Sequence, residues 1–266
     1  MKQTLTLLLV SLIILFSAKF VFADYASSYQ DYINKTGTYQ SAYGTFLTAR
    51  ANYLASQSID SQDKAKAATL KLLQTRDDVV TSYLNAIKTK IQNTLGISDG
   101  DKASFVSRLD TEISWFNNHN SRLSSAGSLD DLVSDSDEAK AEYENSTLIL
   151  VYQSIVALGI GNNSYIRGEI NNEITVLQAK IDEIKANQDK DVSSIERSLV
   201  DVKNKLSRSQ TKDSEAANLI NSIKPTDQQK DNDFQDAEVD LANSNSYLKE
   251  ANNSLLQIIS QIKSAN

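Results

Sequence analysis

Apolar side chains recur every seventh residue over long stretches of this chain, and seven residues make two turns of an α-helix. One set is aromatic: Tyr25, Tyr32, Tyr39, Phe46 and Tyr53, with Tyr29 and Tyr43 between them. Another is aliphatic after its first member: Phe234, Leu241, Leu248, Leu255 and Ile262. Such residues line one stripe of a long helix, and the stripe must bury against other helices or face a ligand. Breakers are scarce and unevenly placed. All 8 glycines lie at or before Gly168, and Pro225 is the only proline. The chain is therefore expected to be all-α, an elongated antiparallel bundle of about six long helices with coiled-coil-like seams.

Six helices can be placed along it. The first runs from about Asp24 to Gln57 and carries the aromatic seam. Gly37, Gly44 and Ala51 form a small-residue strip beside the rings, which suggests a helix approaching closely there. The second, capped by Asp60 or Ser61, ends at Gly96 and has its seam at Leu73, Val80, Leu84, Ile87 and Ile91. The third starts at Ser98 to Asp101 and stops at Gly127. The fourth begins in the acidic segment 128–138 and continues to about Asn187. Its stretch from Thr147 to Ile160 is apolar on every face, so neighbours must enclose it. Gly159, Gly161, Asn162 and Asn163 are the places where it would kink or break. A turn at 187–192 and a capping box at Ser193 and Glu196 start the fifth, which Pro225 ends. The sixth carries the aliphatic seam. The expected division is a leader at 1–23, a three-helix region at 24–127 and a long-helix region at 128–266 that shares a central helix with the first.

The first 23 residues have the parts of a secretory leader: Lys2, an apolar run from Leu5 to Phe16, and Val21 and Ala23 before an expected cleavage at Asp24. Retention of this segment would instead make it an anchor. The chain has 27 basic and 34 acidic residues, and losing Lys2 and Lys19 takes the formal net charge from −7 to −9. Such a surface repels nucleic acid and anionic lipid. With no cysteine, disulfides and thiol chemistry are excluded, and packing must supply the stability.

No residue pattern builds a catalytic site. His119 is the only histidine, one turn from Trp115, the only tryptophan. A two-histidine zinc site and a Ser/His/Asp set on a nucleophile turn are thus both out of reach. Packing at the edge of the third helix accounts for the Trp115 and His119 pair, although with Glu112 it would also make a ligand-stacking face. The acidic groups Asp99-Gly100-Asp101 and Asn187-x-Asp189-x-Asp191 suggest calcium. The second then fails, with Val192 in place of the required glycine and Ser198 in place of the bidentate glutamate. The expectation is no enzyme activity, no cofactor and no metal.

In its pattern of long helices behind a leader, the chain resembles exported long-helix proteins of small-genome bacteria. That resemblance brings no motif and no functional residues. In architecture, exported cysteine-free helical bundles also resemble the helical pore-forming toxins, which would give segment 147–160 a membrane-inserting role, though it is shorter than the roughly 20 residues needed to span. The expected function is protein–protein contact, as a spacer, adhesin-like or envelope-associated module, with a protein partner or self-association. Membrane contact is expected only through a retained leader or segment 147–160. Candidate contact residues are Tyr25, Tyr29, Tyr32, Tyr39, Tyr43, Tyr53, Trp115 and His119.

Overall fold

The computed structural model describes residues 22–188 and 191–265. The leader at 1–23 lies, except for its last two residues, outside them. Among the described residues every regular element is helical. The α-helices are α1 (Phe22–Ser56), α2 (Ile59–Asn93), α3 (Asp99–Leu123), α4 (Leu129–Glu142), α5 (Leu148–Gln188), α6 (Ser193–Ser222) and α7 (Lys230–Ala265). A π-helical turn at Tyr143–Thr147 joins α4 to α5 without a break. The result is six helical segments, the expected all-α bundle.

Short polar side chains set the helix starts by accepting backbone N–H groups that have no partner within the helix. After α1 the chain turns at Gln57, whose φ of 47° lies in the left-handed region. Ser58, not Asp60 or Ser61, then caps α2, its Oγ accepting the Ser61 N–H at 3.2 Å. Ser98 Oγ accepts the Asp101 N–H at 3.1 Å and opens α3. At α4 the cap is reciprocal: Ser128 Oγ accepts the Asp131 N–H, while the Asp131 carboxylate accepts the N–H groups of Gly127 and Ser128. The expected capping box at Ser193 is not formed. Val192 stands at the N-cap without a side-chain bond; Asp191 before it accepts the Ser193 N–H at 2.9 Å, and Glu196 pairs with Lys185. At the other end of α6, Ile223 is extended, consistent with the exclusion of helix just ahead of Pro225.

The chain forms two compact units. One takes in the chain up to Asn93 together with Leu109–Ala139, the other Thr94–Arg108 together with the chain from Lys140 onward. In the first unit α1 and α2 pack as a hairpin, and Leu73, Leu123 and Leu132 make a small core where α2, α3 and α4 meet. From Tyr25 onward helix α1 adds little to the interior, its one buried apolar residue there being Ala42.

The second unit holds the larger core. Ile170, Ile174, Leu177, Ile181 and Ile184 of α5 close against Leu199 and Val202 of α6 and Leu255 and Ile258 of α7. Each such side chain contributes about 1.5–3 kcal/mol when fully buried. Segment 147–160 is enclosed as expected, with no exposed residue between Ser146 and Gly161. Helix α5 runs unbroken through Gly159 to Asn163. The glycines serve packing there: a Cβ on Gly159 would lie 2.6 Å from Leu241 Cδ1, and one on Gly96 would lie 1.8 Å from the Gly161 carbonyl oxygen. The close backbone approach expected at Gly37 and Gly44 is absent, because both are exposed with nothing within 4 Å of a built Cβ.

Candidate functional site

The aromatic seam of α1 faces α2 along most of its length. Tyr25, Tyr32, Tyr39, Phe46 and Tyr53 are all half-buried. The Tyr32 ring lies 5.1 Å from that of Tyr83, and Lys90 Nζ sits 4.8 Å over the Tyr25 ring. Lys35 pairs with Asp78 at 3.4 Å. This part of the seam closes a two-helix hairpin, as amphipathic phenols do when one edge remains near water.

Tyr29 and Tyr43 lie outside that contact, 44% and 46% exposed. They belong to a second stripe with Ile33, Leu47 and Leu54, which are 43%, 45% and 57% exposed. At about 100° per residue these five side chains fall within about 80° of one another. One helix thus carries two apolar stripes, one packed on α2 and one open. Next to the C-terminal half of α1 is a groove of about 540 Å³, floored by Ala65, Thr69 and Leu72 of α2 and walled by Tyr53, Leu54, Leu129 and Val133.

Trp115 and His119 are together, as expected, with rings stacked at 5.2 Å and 7°. The environment differs from the expected helix edge: His119 is only 1% exposed, so it is an interior residue. Its Nδ1 lies 2.6 Å from Oδ2 of Asp77 on α2, which is wholly buried, and its Nε2–H donates to the Asp135 carbonyl on α4 at 2.9 Å. A carbonyl only accepts, so Nε2 carries a proton; with Asp77 ionised its carboxylate also accepts, both ring nitrogens carry protons and the ring is an imidazolium. Burial alone would depress its pKa. The Asp77 hydrogen bond and charge, with the Asp135 carbonyl, outweigh that and hold the pKa above the ordinary 6.5. Arg76 completes the cluster, with Nε 3.5 Å from Asp77 Oδ1 and Nη1 donating to Ser136.

His119, Asp135 and Glu138 also offer ligand atoms within 4.8 Å of one another. A cation there would have to take the Nε2 proton from its carbonyl and compete with Arg122, which holds Glu138 at 2.9 Å. The chemistry of the cluster is that of an interhelical tie, joining α2, α3 and α4 through one ring. The cue for it was present in the sequence. Asp77 occupies a position of the α2 seam, between Leu73 and Val80, where a charge needs a buried partner.

A second buried polar cluster lies in the other unit. Arg167 on α5 donates to Asp213 on α6 at 2.6 Å and to Ser209 at 2.7 Å, and Asn163 donates to Asp213 at 2.9 Å. The Ser209 and Ser244 hydroxyls are 2.9 Å apart. These residues also interrupt seams at core positions, and they fix the register of three helices at one level.

No known protein family, curated protein or solved structure matches this chain. The candidate site is therefore defined by the geometry above: an open apolar stripe on α1, and two buried polar ties that hold helices in place.

Proposed function

We propose that this protein is a non-enzymatic, exported helical bundle that works by protein–protein contact, as a spacer, adhesin-like or envelope-associated module. The observation that supports this most is the open stripe of α1, five large apolar side chains along an exposed helix face. Exposed apolar groups aligned this way mark contact surfaces more often than scattered ones do. The polar clusters support the same reading, since their charged groups are paired within the bundle and spent on holding helices together. The leader-like segment at 1–23 supports export. Among the described residues no helix is long and apolar enough to cross a membrane.

The test is affinity capture from envelope extracts of the source cells, comparing the wild-type chain with Leu47→Glu. The expected result is a protein retained by the wild type and lost with the variant. Equal retention by both, or a chain found only in the cytoplasmic fraction, would overturn the proposal.

A further inference from the structure

We infer that the open face of α1 is a self-association surface, covered in solution by a second copy of this chain. The inference rests on the contact function proposed above and names its partner. Between Tyr25 and Ser56 the only charged residues are Asp31, Lys35 and Arg50. At about 100° per residue all three fall within about 100° of arc, on the side that carries the α2-facing seam. Lys35 is held there by Asp78. The remaining arc, about 260°, has no charge over 32 residues.

The hydroxyls on this arc are also largely spent, and Gln40 and Asn52 are exposed polar side chains on it. Thr38, Ser41, Thr45 and Thr48 each donate their hydroxyl to the carbonyl four residues earlier, at 3.1 Å. That leaves methyls and methylenes outward, beside Tyr29, Ile33, Tyr43, Leu47 and Leu54. Gly37 and Gly44, open to within 4 Å, let another helix lie close against this surface.

Electrostatics selects the occupant. The chain carries a formal charge of −7, so two copies repel through most relative orientations. They can meet without like charges opposed where the surface is neutral, and among the described residues no other helix offers an exposed charge-free arc of this length. A partner of opposite charge would find nothing here to pair with. The area is sufficient. From Tyr29 to Ala55 the face is about 40 Å long at 1.5 Å per residue, and about 12 Å wide on a helix of that diameter. Two copies would then bury about 1,000 Å² together, the lower bound for a specific interface and the size of a reversible one. A two-fold pair presents the same patch from each copy. Tyr43 is near the midpoint of the face, so in a two-fold pair centred there its two copies are neighbours.

Sedimentation velocity of the full chain from about 1 to 500 µM tests this. The expected result is a monomer–dimer equilibrium for the wild type, weakened at least about ten-fold by Tyr43→Glu, with helicity by circular dichroism unchanged because the side chain is exposed. Tyr43→Lys alone should weaken it as well. Mixing the Glu and Lys variants should restore dimer, which misfolded chains would not do. A wild type monomeric throughout, or a dimer indifferent to Tyr43→Glu, overturns the inference. If the wild type is monomeric while capture from envelope extract still depends on Leu47, the second copy is refuted and the contact function stands. Loss of both refutes both.

Discussion

Replacing His119 with alanine should be among the most damaging single changes in the first unit. His119 is 1% exposed and Asp77 is 0% exposed. Removing the imidazolium leaves a buried carboxylate with only Arg76 Nε, 3.5 Å away, beside it. Breaking a buried pair from one side costs about 3–5 kcal/mol, mostly because the remaining charge is left unsolvated. For a chain of this size that corresponds to a fall in melting temperature of roughly 6–20 °C. Trp115 is the only tryptophan and stacks on the same ring, so its emission follows unfolding at this point of the structure. Replacing both partners, Asp77→Leu with His119→Met, should recover most of the loss, since an apolar pair has no charge to desolvate. The pH dependence gives an independent sign. The native pKa of His119 is raised above 6.5, so the stabilisation is complete below about pH 6.5 and fades as pH rises through the native value. A neutral ring has one proton for two acceptors, and one of the two ties is lost. Thermal unfolding followed by Trp115 emission should therefore shift to lower temperature from pH 6.5 upward in the wild type, and this slope should be missing in His119→Ala. A loss below about 1 kcal/mol, or a wild-type midpoint that rises over that pH range, would refute the imidazolium tie.

The glycines divide into two classes with opposite expected outcomes in thermal unfolding at low protein concentration. Gly37→Ala and Gly44→Ala, which meet nothing, should each stabilise by about 0.4–1 kcal/mol. Gly96→Ala drives a methyl to within 1.8 Å of a backbone oxygen and should destabilise by at least about 1–3 kcal/mol. Arg167→Met strands the Asp213 carboxylate, with Asn163 its remaining donor, and a loss of about 3–5 kcal/mol in urea denaturation is expected. Asp191→Ala removes the side-chain acceptor of the first N–H of α6 and should cost about 0.5–2 kcal/mol, with faster amide exchange confined to the first turn of that helix.

Much of the fold was legible from spacing. The three- and four-residue steps through Leu199, Val202 and Leu206, or Leu248, Ala251, Leu255 and Ile258, leave a helix with one face to bury, and those residues form the core of the second unit. Segment 147–160 read as enclosed because it offers no polar face, and it is. Caps were less legible, because several serines and aspartates compete at each start and the winner is decided by turn geometry. Ser58 prevailed over Asp60, and Asp191 over Ser193. The small-residue strip misled for a related reason. A glycine beside a large residue permits close approach but does not bring a helix to it, and the approach occurred at Gly96 and Gly161.

By itself, then, the order of residues determined that the chain is helical, roughly where its six helical segments run and which apolar stripes each one carries, because those follow from local propensity and a period of two turns. Only the tertiary structure decided which stripes find a neighbour. It turned the seam of α1 onto α2 and left Tyr29, Tyr43 and Leu47 uncovered. It also brought Asp77 within 2.6 Å of a histidine 42 residues away. Contacts of that kind depend on how helices pair in space, and the periodicity of a single helix does not contain that information.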